Sequence, residues 1–269
     1  MKRAYLFIIP VLLLLGASSA CINAVSPGET IATAESGLSH VTPPGIPPDT
    51  KLVCLFFDDG YRNQYNVALP VLLQHGFKAT FGIITDYIGT GSDIWEYIDV
   101  KEIRKLAKYG MDIGSHTKTH PHLTHDLSDR QLTEEIIGSK VHLEKSGFHV
   151  RTFVYPYCEW DERIIGYVKQ AGYTCARGCR WNADFYNLDT SDTDARFHVA
   201  SRSIVQHNFD QFKSVVDKAG NRNVVCLTYH FISDIGPEST STPVSNFVEQ
   251  MRYLKENGFT VVLLPDLIE

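Results

Sequence analysis

The sequence predicts a closed or nearly closed (β/α) barrel of about seven parallel strands. Three observations carry that prediction. First, one helix-stop junction recurs, as His75-Gly76-Phe77, Tyr109-Gly110-Met111, Ser146-Gly147-Phe148, Ala171-Gly172-Tyr173 and Asn257-Gly258-Phe259. Each follows a helical pattern, and glycine past the last turn takes the left-handed conformation at little cost and ends the helix. Second, the next apolar residue opens a short run, in places continuously apolar, as in strands covered on both faces. Helices alternating with such strands give right-handed βα units and a parallel sheet. Third, neither G-x-G-x-x-G nor a P-loop follows the first strand. The runner-up, a doubly wound open sheet, therefore lacks the nucleotide fingerprints that would support it.

The expected strands are Leu52–Phe57, 79–84, Asp112–Ser115, 152–155, 174–177, 224–229 and 260–264. The clearest helices between them are 99–109, 161–171 and one opened by Ser128. Gln131 three residues later completes a capping box there, and that helix ends at Gly147.

The chain has 269 residues, 43% hydrophobic and 21% charged, which is an ordinary globular composition. Its formal net charge of -6 argues against a grip on nucleic-acid phosphates. Residues 1–20 read as an export signal. Lys2 and Arg3 precede the apolar stretch Ala4 to Gly16, and Ser18-Ser19-Ala20 offers small residues for cleavage. Cys21 is a candidate for lipid attachment, although Ser18 stands where such signals carry Leu. Residues 21–50, rich in Ser, Thr, Pro and Gly, read as a tether, and the folded domain as 51–269. The protein is then exported, extracellular or cell-surface, with membrane attachment only through the N-terminus, and is expected to be a monomer. Cys175 and Cys179 are a candidate close pair, while Cys54 and Cys226 sit in apolar runs as small hydrophobes.

The chemistry-bearing residues fall where the strands end. Asp58-Asp59-Gly60 follows the first strand, Ser115-His116-Thr117-Lys118-Thr119-His120 the third, Tyr155-Pro156-Tyr157 the fourth and Thr228-Tyr229-His230 a later one. The carboxyl ends of barrel strands are where active sites are built. Adjacent side chains on an extended strand point opposite ways, so Asp58 and Asp59 are expected in different roles. Pro121 disfavours a helix at His120, so a tight loop is expected to fold both rings toward one point. Thr117 stands where a zinc metallopeptidase carries Glu, so that motif is absent. One carboxylate and two imidazoles suit zinc with open positions. His122 and His125 read as surface residues.

Leu55-Phe-Phe-Asp-Asp-Gly60, His116-Thr-Lys-Thr-His120-Pro121 and Leu227-Thr-Tyr-His230 resemble, in order, three motifs of the polysaccharide deacetylase (NodB homology) family, also called carbohydrate esterase family four. The resemblance covers 51–269. It implies a distorted (β/α) barrel of the NodB-homology type and metal-dependent N-deacetylation of acetylated amino sugars. By position it makes Asp58 the general base, His230 the general acid, and Asp59, His116 and His120 the ligands of one divalent ion. That ion would be Zn2+, with Co2+ or Ni2+ as alternatives. It also places Tyr157, beside Pro156, at the oxyanion and substrate.

Two motifs depart from the family pattern. In 153–158, Val154 stands where the family has an Arg that orients the base, and Cys158 where it has Gly. Arg151 and Arg202 are candidate substitutes. Trp181-Asn-Ala-Asp184 only loosely matches the fourth motif. Trp95, Trp160 and Trp181 are candidates for stacking on sugar faces, and Asp184 and Asp234 for a carboxylate partner to His230. The implied partner is an N-acetylated glycan. The alternatives are hydrolysis of another non-peptide C–N bond (a cyclic imide or ureide) and a catalytically inactive glycan-binding module.

Overall fold

Strand β1 (Leu52–Phe57) is buried at every residue and lies in the middle of the main sheet. The computed structural model describes residues 45–179, 185–205 and 209–268. The expected export signal, Cys21, most of the expected tether, Trp181 and Asp184 therefore lie outside the described residues. After β1 come α1 (Leu69–His75), β2 (Thr80–Ile83), α2 (Val100–Lys108), β3 (Asp112–Ser115) and α3 (Asp129–Leu132). A wide helical turn carries α3 into α4 (Ser139–Lys145), followed by β4 (Thr152–Val154), α5 (Glu162–Gln170), β5 (Cys175–Arg177), β6 (Tyr186–Asn187) and β7 (Arg202–Ser203). The remainder is α6 (Phe209–Val216), β8 (Asn223–Tyr229), β9 (Phe231–Ile232), β10 (Ser241–Thr242), α7 (Val244–Glu256), β11 (Thr260–Val261) and α8 (Leu264–Ile268).

The main sheet runs β5-β4-β3-β2-β1-β8-β6, parallel except for β6. β11 pairs with the first half of β1, and β7 with the second half of β8. The sheet curls until residues 199–203 span its open side. Val199 bridges Arg177 on β5, its N–H donating to Ala176 O at 3.0 Å. Three residues on, β7 pairs with β8. The expected barrel is present, but a short segment closes it where a full βα unit was expected.

Strand alternation sorts the core. Val53, Leu55 and Phe57 of β1, with Val225, Leu227 and Tyr229 of β8, pack outward under the helices. Leu52, Cys54 and Phe56, with Val154, Cys175, Val224 and Cys226, pack inside the barrel. Phe57 stacks on Phe81 and Tyr229 at 5.0 and 5.5 Å between ring centres. Burying such a side chain contributes about 1.5–3 kcal/mol.

All five junction glycines have φ between 72° and 92°, so each helix stops where the sequence says. Capping boxes open α2 (Asp99 with Glu102) and α3 (Ser128 with Gln131). Three expectations are corrected. Strand 260–264 is paired only at Thr260–Val261; Leu264 starts a helix, and Pro265 is tolerated in its first turn because the N–H there has no helical partner. Cys179 forms a disulfide with Cys158. Cys175, four residues earlier at the start of β5, is a buried thiol in the barrel interior. The end of the tether is docked: Pro48 O accepts from Arg222 N at 3.0 Å, and Ile46 packs on the inner cluster.

Candidate active site

Asp58 continues the alternation of β1 by one residue. Leu52, Cys54 and Phe56 face the barrel interior, so Asp58 does too, at the mouth where the strand ends. His230 follows β8 in the same way, because Phe57 and Tyr229 are register partners. His230 Nε2 lies 3.7 Å from Asp58 Oδ2. Gln64, fully buried, staples the two strand ends, its Nε2 donating to Asp58 O at 2.5 Å and to His230 O at 2.9 Å.

Asp59 does not sit on an extended strand. Its φ of 73° turns the chain, so both neighbouring carboxylates face the same cleft instead of opposite sides. Asp59 Oδ1 lies 3.4 Å from His116 Nε2 and 3.5 Å from His120 Nε2. His116 and His120 are on a loop, as Pro121 requires, with Thr117 and His120 at φ 67° and 62°. Buried Glu135 anchors that loop by accepting from Lys118 N at 2.9 Å, Thr119 N at 2.8 Å and Thr119 Oγ1 at 2.7 Å. Five non-glycine residues with positive φ, Asp59, Thr117, His120, Tyr157 and Cys158, gather here. Strained backbone of this kind persists only where the surroundings over-determine it, which argues that the site geometry is held on purpose.

The Asp59–His116–His120 group fits a metal ion. One ligand atom from each lies within 4.8 Å of the others. His116 Nδ1 is 2.8 Å from Val154 O, which fixes the tautomer and leaves Nε2 toward Asp59 with its lone pair. Burial, and then the charge of His116, holds His120 down at about 4, so its imidazole is neutral and able to ligate. For Asp59, burial pushes upward, but the His116 hydrogen bond and the neighbouring histidines outweigh it and keep the carboxyl well below its ordinary range.

The arginine missing at Val154 is supplied by neither sequence candidate. Arg151 pairs with Asp266 at 2.7 Å. Arg202 lines the cleft wall. Arg177 takes the position: it is buried and its Nη2 donates to Asp58 Oδ2 at 2.5 Å. Val154 and Arg177 are register partners on β4 and β5, so the guanidinium enters from one strand over. Sequence reasoning missed Arg177, although the signal was there: a lone charge ending an apolar strand, as Asp58 does. Asp58 Oδ1 and His230 Nδ1 have no hydrogen-bond partner.

Tyr157 lines the cleft with its ring edge-on to His120 and stacked on His122 at 3.8 Å. Pro156 is buried and outside the cleft wall. His122, His125 and Glu159 cluster at the rim; His122 Nδ1 is 2.9 Å from Glu159 Oε1, and Thr124 also donates to Glu159. We read this exposed group as the support behind Tyr157. Trp160 stacks on His198 away from the cleft, and Trp95 stands half-exposed beside Tyr61 and Phe231. Asp234 caps α7 at Val244 N; the carboxylate that faces His230 is Asp58. The whole cleft encloses about 460 Å³.

A family model described as "Polysaccharide deacetylase" matches residues 45–176. The Bacillus subtilis polysaccharide deacetylase candidate YxkH is 34% identical over 128 residues, 47% of this chain and 44% of that protein. A chitooligosaccharide deacetylase of Bradyrhizobium is 28% identical over 141 residues, 50% of this chain and 58% of that one. The chain thus spans about half the length of these relatives. Among solved structures, a family 4 carbohydrate esterase from Streptomyces lividans superposes with a TM-score of 0.55 at 20% identity, covering 81% of this chain and 95% of that one. The barrel is therefore shared well beyond the stretch that the family model reaches, and residues 45–176 match the polysaccharide deacetylase family.

Proposed function

We propose that this chain is a metal-dependent hydrolase that removes N-acetyl groups from an amino-sugar glycan and releases acetate. The observation that carries the reading is one cleft holding an imidazole–carboxylate ligand set beside a buried carboxylate and a histidine, each with an unpartnered atom. Asp59, His116 and His120 would hold the ion, zinc by the character of the donors. When bound, the ion supplies Lewis acidity, drawing the pKa of a water toward about 7 and polarising the amide oxygen.

Asp58 takes the water proton on Oδ1, while Arg177 holds Oδ2 and fixes the carboxylate plane. A general base of this kind contributes typically 10²–10⁴-fold. The Tyr157 backbone N–H faces the developing oxyanion, where a preorganised donor is worth most. His230 hands a proton to the leaving nitrogen, because an amide anion cannot depart. The closeness of His230 to Asp58 lets the proton that Asp58 gains be shared toward the histidine that must deliver it.

The chitooligosaccharide and chitin deacetylases among the relatives favour an N-acetylglucosamine polymer as substrate. The N-terminal signal and tether favour an exported protein acting on an extracellular glycan. No helix among the described residues is long and apolar enough to cross a membrane. An acetate-release screen over chitin oligomers, poly-N-acetylglucosamine and peptidoglycan, with metal analysis of the same sample, tests the reading. Acetate from at least one glycan and close to one divalent ion per chain are expected. Full metal with no acetate from any of them refutes it and leaves the glycan-binding module.

A further inference from the structure

Cys158 occupies a backbone conformation that suits glycine. Its φ is 62°, and Tyr157 before it has φ 53°, so two successive side-chain-bearing residues lie in the left-handed region. A β-carbon is disfavoured there. Cys158 is also the point at which this turn is tied to the rest of the barrel. Its disulfide partner is Cys179, 21 residues on, with Cα atoms 5.1 Å apart. The bond joins the turn after β4 to the segment after β5.

Both cysteines line the cleft, and both sulfurs lie 4.0 Å from Arg177 Nη1. Ser201 Oγ touches Cys179 Sγ at 3.7 Å and donates to Gly178 O at 2.8 Å, so the far end of the bridge is anchored to the segment that closes the barrel. The bridge therefore touches two things at once: the turn that carries Tyr157, and the guanidinium that holds Asp58.

We propose that the Cys158–Cys179 disulfide is the positioning element of this cleft, holding the Tyr157 turn in its left-handed form and packing Arg177 against Asp58, and that full activity requires it oxidised. A covalent tie does here what glycine would do by conformational freedom. The inference rests on the deacetylase reading for its kinetic part only. Cys158 and Cys179 are half-buried residues on the cleft wall, whereas Cys54, Cys175 and Cys226 are buried.

The test uses the full-length metal-loaded protein and a water-soluble trialkylphosphine. The phosphine takes oxygen from water and becomes the phosphine oxide; the S–S bond accepts two electrons, and the two protons of that water end on the two thiols. Alkylation and peptide mapping report the bond. Reduction is expected to lower kcat roughly ten- to hundredfold, the scale of an ångström-level misplacement, with KM and metal content unchanged. Hydrogen exchange at residues 157–159 should accelerate in parallel.

Two double variants separate the backbone argument from mere loss of sulfur. Cys158→Gly with Cys179→Ser should keep exchange at residues 157–159 within about threefold of oxidised wild type, exceed the alanine variant in kcat and ignore the phosphine, since glycine adopts this φ unaided. Cys158→Ala with Cys179→Ser should behave like the reduced protein. Unchanged kcat and unchanged exchange with both thiols alkylated would overturn the inference, as would equal behaviour of the two variants. If oxidised wild type releases no acetate at all, the deacetylase reading fails, and the exchange comparison still decides the positioning role.

Discussion

Replacing Arg177 with Met is the sharpest probe of how this cleft is built. Arg177 is 1% exposed and Asp58 6% as side chains, and their bond is 2.5 Å. Removing one partner of a buried ion pair leaves an uncompensated charge, at a cost of about 3–5 kcal/mol. Without the guanidinium the Asp58 carboxylate also loses the donor that fixes its plane, so kcat/KM should fall by about 10²–10⁴-fold, the usual contribution of a general base. The metal should stay, because Arg177 touches none of Asp59, His116 or His120 by any hydrogen bond seen here. The assay is acetate release from N-acetylglucosamine oligomers, with metal content and urea unfolding measured on the same preparation. A swap follows from the register: Val154 and Arg177 face each other across β4 and β5, both toward the barrel interior. Val154→Arg combined with Arg177→Val should recover at least about tenfold of the loss, since neighbouring strands are only about 4.8 Å apart. Arg177→Met within about threefold of wild type, or loss of metal in step with activity, would refute the assignment.

Other outcomes follow from the same geometry. His116→Ala or His120→Ala should abolish stoichiometric metal by elemental analysis, because one of three ligands is gone, whereas Asp58→Asn should keep the metal and lose most activity; the reverse pattern would mean that the carboxylate roles are exchanged. His230→Ala should lower kcat on an amide far more than on an activated acetate ester, whose leaving group departs without a proton; equal losses would leave His230 as a positioning residue. Gln64→Leu removes the two bonds that staple the ends of β1 and β8 and should destabilise by about 1–3 kcal/mol in urea unfolding, the cost of buried carbonyls left unpaired. With the metal removed, the folded protein holds His120 at about 4, against about 6.5 unfolded. The unfolded chain then binds more protons between those values, so this residue makes stability rise with pH through that window and level off above it. A stability–pH slope between pH 4 and 6.5 that is the same in His120→Asn would contradict this.

The sequence by itself determined the elements and named most of the residues that line the candidate site. Glycine past each helix, the capping pairs Asp99–Glu102 and Ser128–Gln131, and the apolar runs are local features, and local physics reads them correctly. Asp58, Asp59, His116 and His230 were legible because each lies within two residues of a strand end, His120 because it closes the loop after β3, and strand ends of a parallel barrel share one face. What the sequence could not decide depends on register and on backbone outside the regular regions. Asp59 was expected to point away from Asp58, but a left-handed residue after β1 reverses that. Arg177, Gln64 and Glu135 act across strands or through a helix, at separations of 119, 6 and 16–17 residues from the groups they hold. Arg177 serves Asp58 only because β5 lies in register with β4, two strands whose pairing no local pattern encodes. Cys158 finds Cys179 and not Cys175 because Cys175 opens β5 deep in the barrel interior, whereas Cys179 follows the end of that strand at the cleft. The residue types were local information; which of them share a cleft was settled by the curl of the sheet.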